Sequence, residues 1–94
     1  MPSPAIDLGR PWRLHPQVAL RPEPFGALAY HFGTRRLSFL KSRALLDVVQ
    51  SLAVHPSARD ACRAAGVGDA ELPRYEEALA TLAQSGMIDR REQA

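Results

Sequence analysis

Hydrophobic and polar positions change period once along the chain, near residue 41. Before that point apolar residues alternate with polar ones; after it they recur every three or four positions. Val18-Ala-Leu-Arg21 is short and bracketed by Pro16 and Pro22, which suits a brief edge strand, because proline removes a ladder donor. From Phe25 to Phe32, Leu28, Tyr30 and Phe32 share one parity, and Ala27, Ala29 and His31 share the other. Side chains on a strand alternate faces, so this segment predicts a strand with one bulky face. Gly33-Thr34 supplies a turn. Arg35 to Leu40 predicts a third strand, with Leu37 and Phe39 alternating against Arg36, Ser38 and Leu40. Leu37 and Phe39, or else Leu40, must face the core. The expected result is a three-stranded antiparallel meander.

Helical spacing then takes over. Ser42 can cap a helix whose apolar stripe is Leu45, Val48, Val49 and Leu52. His55-Pro56 ends it. Ser57 and Asp60 resemble a capping box for a short helix, Ala58 to Ala65, that stops at Gly66. Asp69 can cap a third helix with Pro73 in its first turn and a stripe of Leu72, Tyr75, Leu79 and Leu82. Gly86 ends it, with Met87 and Ile88 docking beyond. The order β-β-β-α-α-α segregates strands from helices and predicts an α+β fold, with the helices on one face of the sheet. The last two helices also resemble a helix-turn-helix.

Six of the eight prolines lie in the first 24 residues. Residues 1–14 therefore read as an extended, proline-rich arm, residues 15–89 as the folded domain, and residues 90–94 as a polar tail. Trp12 is expected to fold back onto the domain as a core plug. Five of the six aromatic residues precede residue 40, so the bulky core material is expected early in the chain.

Composition narrows the function. Ninety-four residues make one domain with one core. Cys62, the only cysteine, rules out an internal disulfide and reads as a packed, inert thiol. The three histidines are widely spaced and form no metal or catalytic pairing, Glu76 and Glu77 point apart on a helix, and Gly66-Val-Gly68 is no phosphate loop. Neither a catalytic residue, a metal ligand nor a cofactor is expected. No apolar run is long enough to span a membrane and no secretory signal is seen, so a cytoplasmic location is expected. A net charge of +2 is weak support for a nucleic-acid partner. The third helix offers Arg74 and Gln84 against Glu71, Glu76 and Glu77, a balance that would repel a phosphate backbone. A winged helix that binds DNA is the rival reading, and a purely structural enzyme subunit is a third.

Several segments together carry a resemblance. Pro11-Trp12-Arg-Leu-His15-Pro16, Val18-Ala-Leu-Arg-Pro-Glu-Pro-Phe-Gly26, Tyr30-His-Phe-Gly33-Thr34-Arg-Arg-Leu37, Ala-Ala-Gly-Val67 and Ser85-Gly-Met-Ile88 resemble the mycofactocin biosynthesis chaperone (MftB) family. More broadly, the order of elements is similar to the PqqD-like recognition elements of ribosomally made, modified peptides. The likeness runs from about residue 11 to residue 88. It implies a winged-helix-like fold and a protein that binds the leader of a precursor peptide. It further implies presentation of that peptide to a radical S-adenosylmethionine maturase, which modifies a C-terminal Val-Tyr end. The iron–sulfur clusters and S-adenosylmethionine would belong to that partner. The leader would add as a strand beside Arg36, Leu37, Ser38, Phe39 and Leu40, against a wall from Tyr75, Leu79 and Leu82, although an apolar helical stripe equally suits Leu79 and Leu82 to the core. Arg35, Arg36 and Lys41 would steer an acidic peptide. An open strand edge is a template for a peptide, or for a second copy of the chain. A monomer, or a dimer through that edge, is therefore expected.

Overall fold

The computed structural model of the chain describes residues 7–91; most of the expected arm, residues 1–6, and the end of the expected tail, residues 92–94, lie outside them. The fold is α+β, with a three-stranded antiparallel sheet and three helices. Its strands are β1 (Trp12–Leu14), β2 (Val18–Glu23), β3 (Gly26–His31), β4 (Leu37–Leu40) and β5 (Ile88–Arg90). Its helices are α1 (Arg43–Ser51), α2 (Ala58–Ala64) and α3 (Leu72–Gln84), with a 3-10 turn at Leu52–Val54.

The meander is β2-β3-β4. Two strands that the chain pattern did not predict, β1 and β5, make a separate antiparallel ribbon with Trp12 opposite Arg90 and Leu14 opposite Ile88. The order is therefore β-β-β-β-α-α-α-β, and the packed body runs past the 15–89 boundary at both ends. Proline content misled here because Pro11 lies just outside the ribbon, where its carbonyl accepts from the Arg91 amide at 3.1 Å. A strand tolerates proline at its margin. Trp12 is buried, and its indole N–H donates to the Asp7 carbonyl at 3.1 Å.

The core corrects a second expectation. In β3 the small face is the buried one: Ala27 and Ala29 are fully buried and His31 nearly so. Leu28 and Tyr30 are only half-buried, and Phe32 is exposed. In β4, Leu40 faces the core while Leu37 and Phe39 point outward. Aromatics therefore do not fill the core: Trp12 alone of the six is buried. Aliphatic helix residues fill it instead, led by Leu52, Leu79, Val48 and Val49 together with Leu40, Met87 and Ile88. Small alanines on β3 let α1 pack close against the sheet. Each fully buried Val or Leu contributes about 1.5–3 kcal/mol by removal from water.

Local chemistry sets the helix ends. Ser42 Oγ accepts from the Leu45 amide and Ser57 Oγ from the Asp60 amide, each at 3.1 Å. Gly66 (φ 88°) and Gly86 (φ 78°) adopt the left-handed conformation that closes α2 and α3. Asp69 does not cap α3. Helix α3 begins after Glu71 with no side-chain cap, and Asp69 instead approaches Arg63 at 3.8 Å. Pro73 occupies the first turn, where its missing amide costs least.

Candidate functional site

The site is built on β4. This strand pairs on one side with β3, Leu28 standing opposite Phe39 and Tyr30 opposite Leu37. On its other side no strand pairs with it among the described residues. The His31 amide donates to the Arg36 carbonyl at 2.9 Å. Antiparallel ladders alternate, so Ser38 and Leu40 bond toward β3 while the amides and carbonyls of Leu37 and Phe39 point to the open edge.

The opposite edge of the sheet is blunted. By the same alternation Pro22 of β2 sits where its amide would have faced outward, and Arg21 pairs with Glu23 at 2.9 Å along that strand. Proline and charge are the usual means of closing an edge to another strand. Strand β4 has neither within its length.

Two features hold β4 in register. Gly26 (φ +151°) lies against its end, where an added Cβ would collide with the Leu40 carbonyl and lie 2.8 Å from the Ser42 amide nitrogen. His31, buried at the start of the turn, accepts on Nδ1 from the amides of Gly33 (3.0 Å) and Thr34 (3.1 Å). Its ring lies 4.5 Å from that of His15. The chain then re-enters through Arg35, a non-glycine residue at φ 63°.

Beyond Leu40 the edge runs into a cleft of about 180 Å³ between the start of α1 and the first turns of α3. Lys41, Ser42 and Leu45 form one wall, and Glu71, Arg74, Tyr75 and Ala78 the other. Among the expected site residues, Arg35, Arg36, Leu37 and Phe39 are exposed, Ser38 and Tyr75 are half-buried, and Tyr75 lines the cleft. Leu79 and Leu82 do not form its wall: they are 0% and 4% exposed and belong to the core. The helix face that meets solvent is turned by one position, so Arg74 and Ala78 stand where the apolar stripe suggested leucines. Helical spacing identified the stripe without saying which part of it the rest of the fold covers. Leu40 likewise offers its backbone only, its side chain being fully buried.

The electrostatics lean positive, with Lys41 and Arg74 lining the cleft against Glu71. Arg35, Arg36 and Lys41 have no ion-pair partner among the described residues. No described helix is long and apolar enough to cross a membrane. The arrangement holds backbone donors and acceptors, an apolar shelf and cations. Those are the means of binding an extended chain.

Comparisons with known proteins agree on one family. The family model described as the peptide chaperone MftB family matches residues 11–89. A peptide chaperone MftB of Mycobacterium ulcerans is 66% identical over 84 residues, covering 89% of this chain and 77% of the relative. One from Mycobacterium tuberculosis is 62% identical over 86 residues, covering 92% and 79%. One from Mycolicibacterium smegmatis is 64% identical over 77 residues, covering 82% and 76%. No solved structure matches the chain.

Proposed function

This chain belongs to the peptide chaperone MftB family, and from that premise we propose that it binds the leader of a ribosomally made precursor peptide by strand addition to β4. It then delivers that peptide to a radical S-adenosylmethionine maturase in mycofactocin biosynthesis. It is a chaperone and not an enzyme. The observation that carries the strand-addition reading is the open edge of β4, where the backbone groups of Leu37 and Phe39 face away from β3.

The peptide-binding unit in this reading is the body that includes the β1–β5 ribbon, and its frame is winged-helix-like. The leader's backbone pairs with Leu37 and Phe39. One end of it enters the cleft, where Tyr75 and Leu45 offer apolar contact and Lys41 and Arg74 offer cations. Affinity comes from the backbone and selectivity from the cleft. Arg35, Arg36 and Lys41 raise the rate of encounter with an acidic leader, an effect that salt suppresses. A second copy pairing at the same edge would compete with the peptide.

Leu37→Pro tests this directly. At a position whose amide faces outward, proline deletes the edge donor without breaking the ladder to β3. The expected result is that Leu37→Pro keeps its circular dichroism spectrum yet loses leader binding by about tenfold or more, as a lost backbone contact with a steric block requires. Leu37→Ala should bind much more tightly than the proline variant. Equal binding by Leu37→Pro and wild type in a fluorescence-anisotropy titration would overturn strand addition at β4. Amide shifts confined to α3 on adding a DNA duplex, with none on adding peptide, would favour the DNA-binding reading instead.

A further inference from the structure

The outward face of the meander carries six large apolar side chains: Phe25, Leu28, Tyr30, Phe32, Leu37 and Phe39. Phe25, Phe32, Leu37 and Phe39 are 47%, 61%, 53% and 57% exposed. Neighbouring rings touch across the patch, Tyr30 and Phe32 edge to face at 5.2 Å and Phe25 and Phe39 at 6.1 Å. The face is therefore one continuous surface made by β3, β4 and the turns at either end of β3. Core packing does not explain it, since the inner face of the same strands is complete with Ala27, Ala29 and Leu40. A contiguous aromatic patch of this kind on a small protein marks a docking surface.

Charge selects the occupant. From residue 18 to residue 41 the chain carries Arg21, Arg35, Arg36 and Lys41 against Glu23 alone. The molecule's net positive charge thus lies in this segment: Arg21 pairs with Glu23, while Arg35, Arg36 and Lys41 flank β4 at its two ends. Two copies docked face to face about a twofold axis would bring these like-charged rims together, which disfavours a second copy. A lipid surface calls for a longer run of basic residues than this rim supplies. A folded protein with an apolar patch bordered by carboxylates fits both features.

We infer that this face docks such a protein, and that it is the maturase to which the bound peptide is delivered; the inference rests on the delivery reading above. Leu37 and Phe39 link the two surfaces. Their backbones border the open edge, while their side chains lie on the aromatic face. A peptide strand added to β4 extends that face by one strand, with alternate peptide side chains flush with it. The docked enzyme therefore meets chaperone and peptide as one surface, and an occupied chaperone presents more of it than an empty one.

The test uses the full chain, a fluorescent leader peptide and the purified mycofactocin radical S-adenosylmethionine maturase. Phe32→Ser alters the face in the turn after β3, where its ring meets Tyr30; Phe25→Ser alters it in the turn before β3, where its ring meets Phe39 of β4; and Val54→Ser alters an exposed residue (78%) elsewhere. The expected result is that each face variant binds immobilised maturase about tenfold or more weakly, as truncating an aromatic anchor does. Leader affinity of Phe32→Ser, whose ring meets Tyr30 and not the β4 edge residue Phe39, should stay within about twofold of wild type, and Val54→Ser should change neither. Maturase affinity unchanged in both face variants, or no maturase binding by wild type, overturns the docking face. So does a wild-type dimer in sedimentation velocity, or wild-type binding to phosphatidylcholine–phosphatidylglycerol vesicles, that these variants abolish while maturase binding persists. Should wild type fail to bind leader yet bind maturase through this face, the delivery reading falls and the docking face stands.

Discussion

Gly26 joins two strands at a point where no side chain fits. Its φ of +151° is one that L residues rarely adopt, and an added Cβ would meet backbone, which cannot rotate away as a side chain can. Gly26→Ala is expected to destabilise the protein by about 2–4 kcal/mol, measured by urea denaturation, from strain and displacement of β4. Cys62 is fully exposed to neither solvent nor reagent: it is buried, and burial pushes its thiol up from the ordinary value. The thiolate is the reactive form, so Ellman's reagent at neutral pH is expected to label Cys62 only as fast as the protein unfolds. Prompt labelling of the folded protein would contradict this placement. Asp7 is shifted the other way, chiefly because the Gly9 amide donates to its carboxylate, with Arg10 alongside. A lowered carboxyl pKa contributes to stability above the unfolded value and loses that contribution as pH falls through the folded one. Asp7 is exposed, so the effect on the stability curve is expected to be confined to the acid limb and weakened by salt.

Helix α1 shows how an element serves both stability and the site. Its buried stripe of Leu45, Leu46, Val48 and Val49 anchors the sheet, while its capping residue Ser42 also lines the cleft. Ser42→Ala is expected to cost about 1 kcal/mol by freeing the Leu45 amide, read from a urea midpoint. Its effect on leader binding should be smaller than that of Leu37→Pro, because the cap is remade in part by water. The caps of α1 and α2, the stripe of α1 and the stop glycines of α2 and α3 were legible in the sequence because each depends on residues close along the chain. Asp69 and Leu79 were not. Whether Asp69 caps α3 depends on where the helix begins, and a turn from Gly68 to Glu71 delays it to Leu72; whether Leu79 lines a groove depends on what covers α3.

For the whole molecule, the N-terminal segment decides the stability. Strand β1 pairs with β5 from the far end of the chain, fastened by Arg13 to Asp89 at 2.8 Å, a separation of 76 residues. Trp12 plugs the core beside the 3-10 turn. Removing residues 1–14 is expected to abolish cooperative thermal unfolding, and Trp12→Ala to cost about 3 kcal/mol or more. A dispensable arm would instead leave the melting curve of the truncated chain unchanged. The same ribbon brings Met87 and Ile88, both almost fully buried, under α3, so the site's second wall depends on the chain's first strand.

The sequence by itself determined the α+β class, the meander, the helix caps and the resemblance to a chaperone family. These follow from local periodicity and from residues whose backbone preferences act over a few positions. Tertiary structure alone decided which face of β3 and β4 is buried. Alternation shows that a strand has two faces, but either parity was compatible with the pattern, and the alanine face won because a helix can lie close upon it. It alone also decided that residues 12–14 and 88–90 pair, since no local signal encodes a contact between segments so distant along the chain. Those two choices turned the bulky aromatic residues outward and gave β4 an edge that is open beside a cleft.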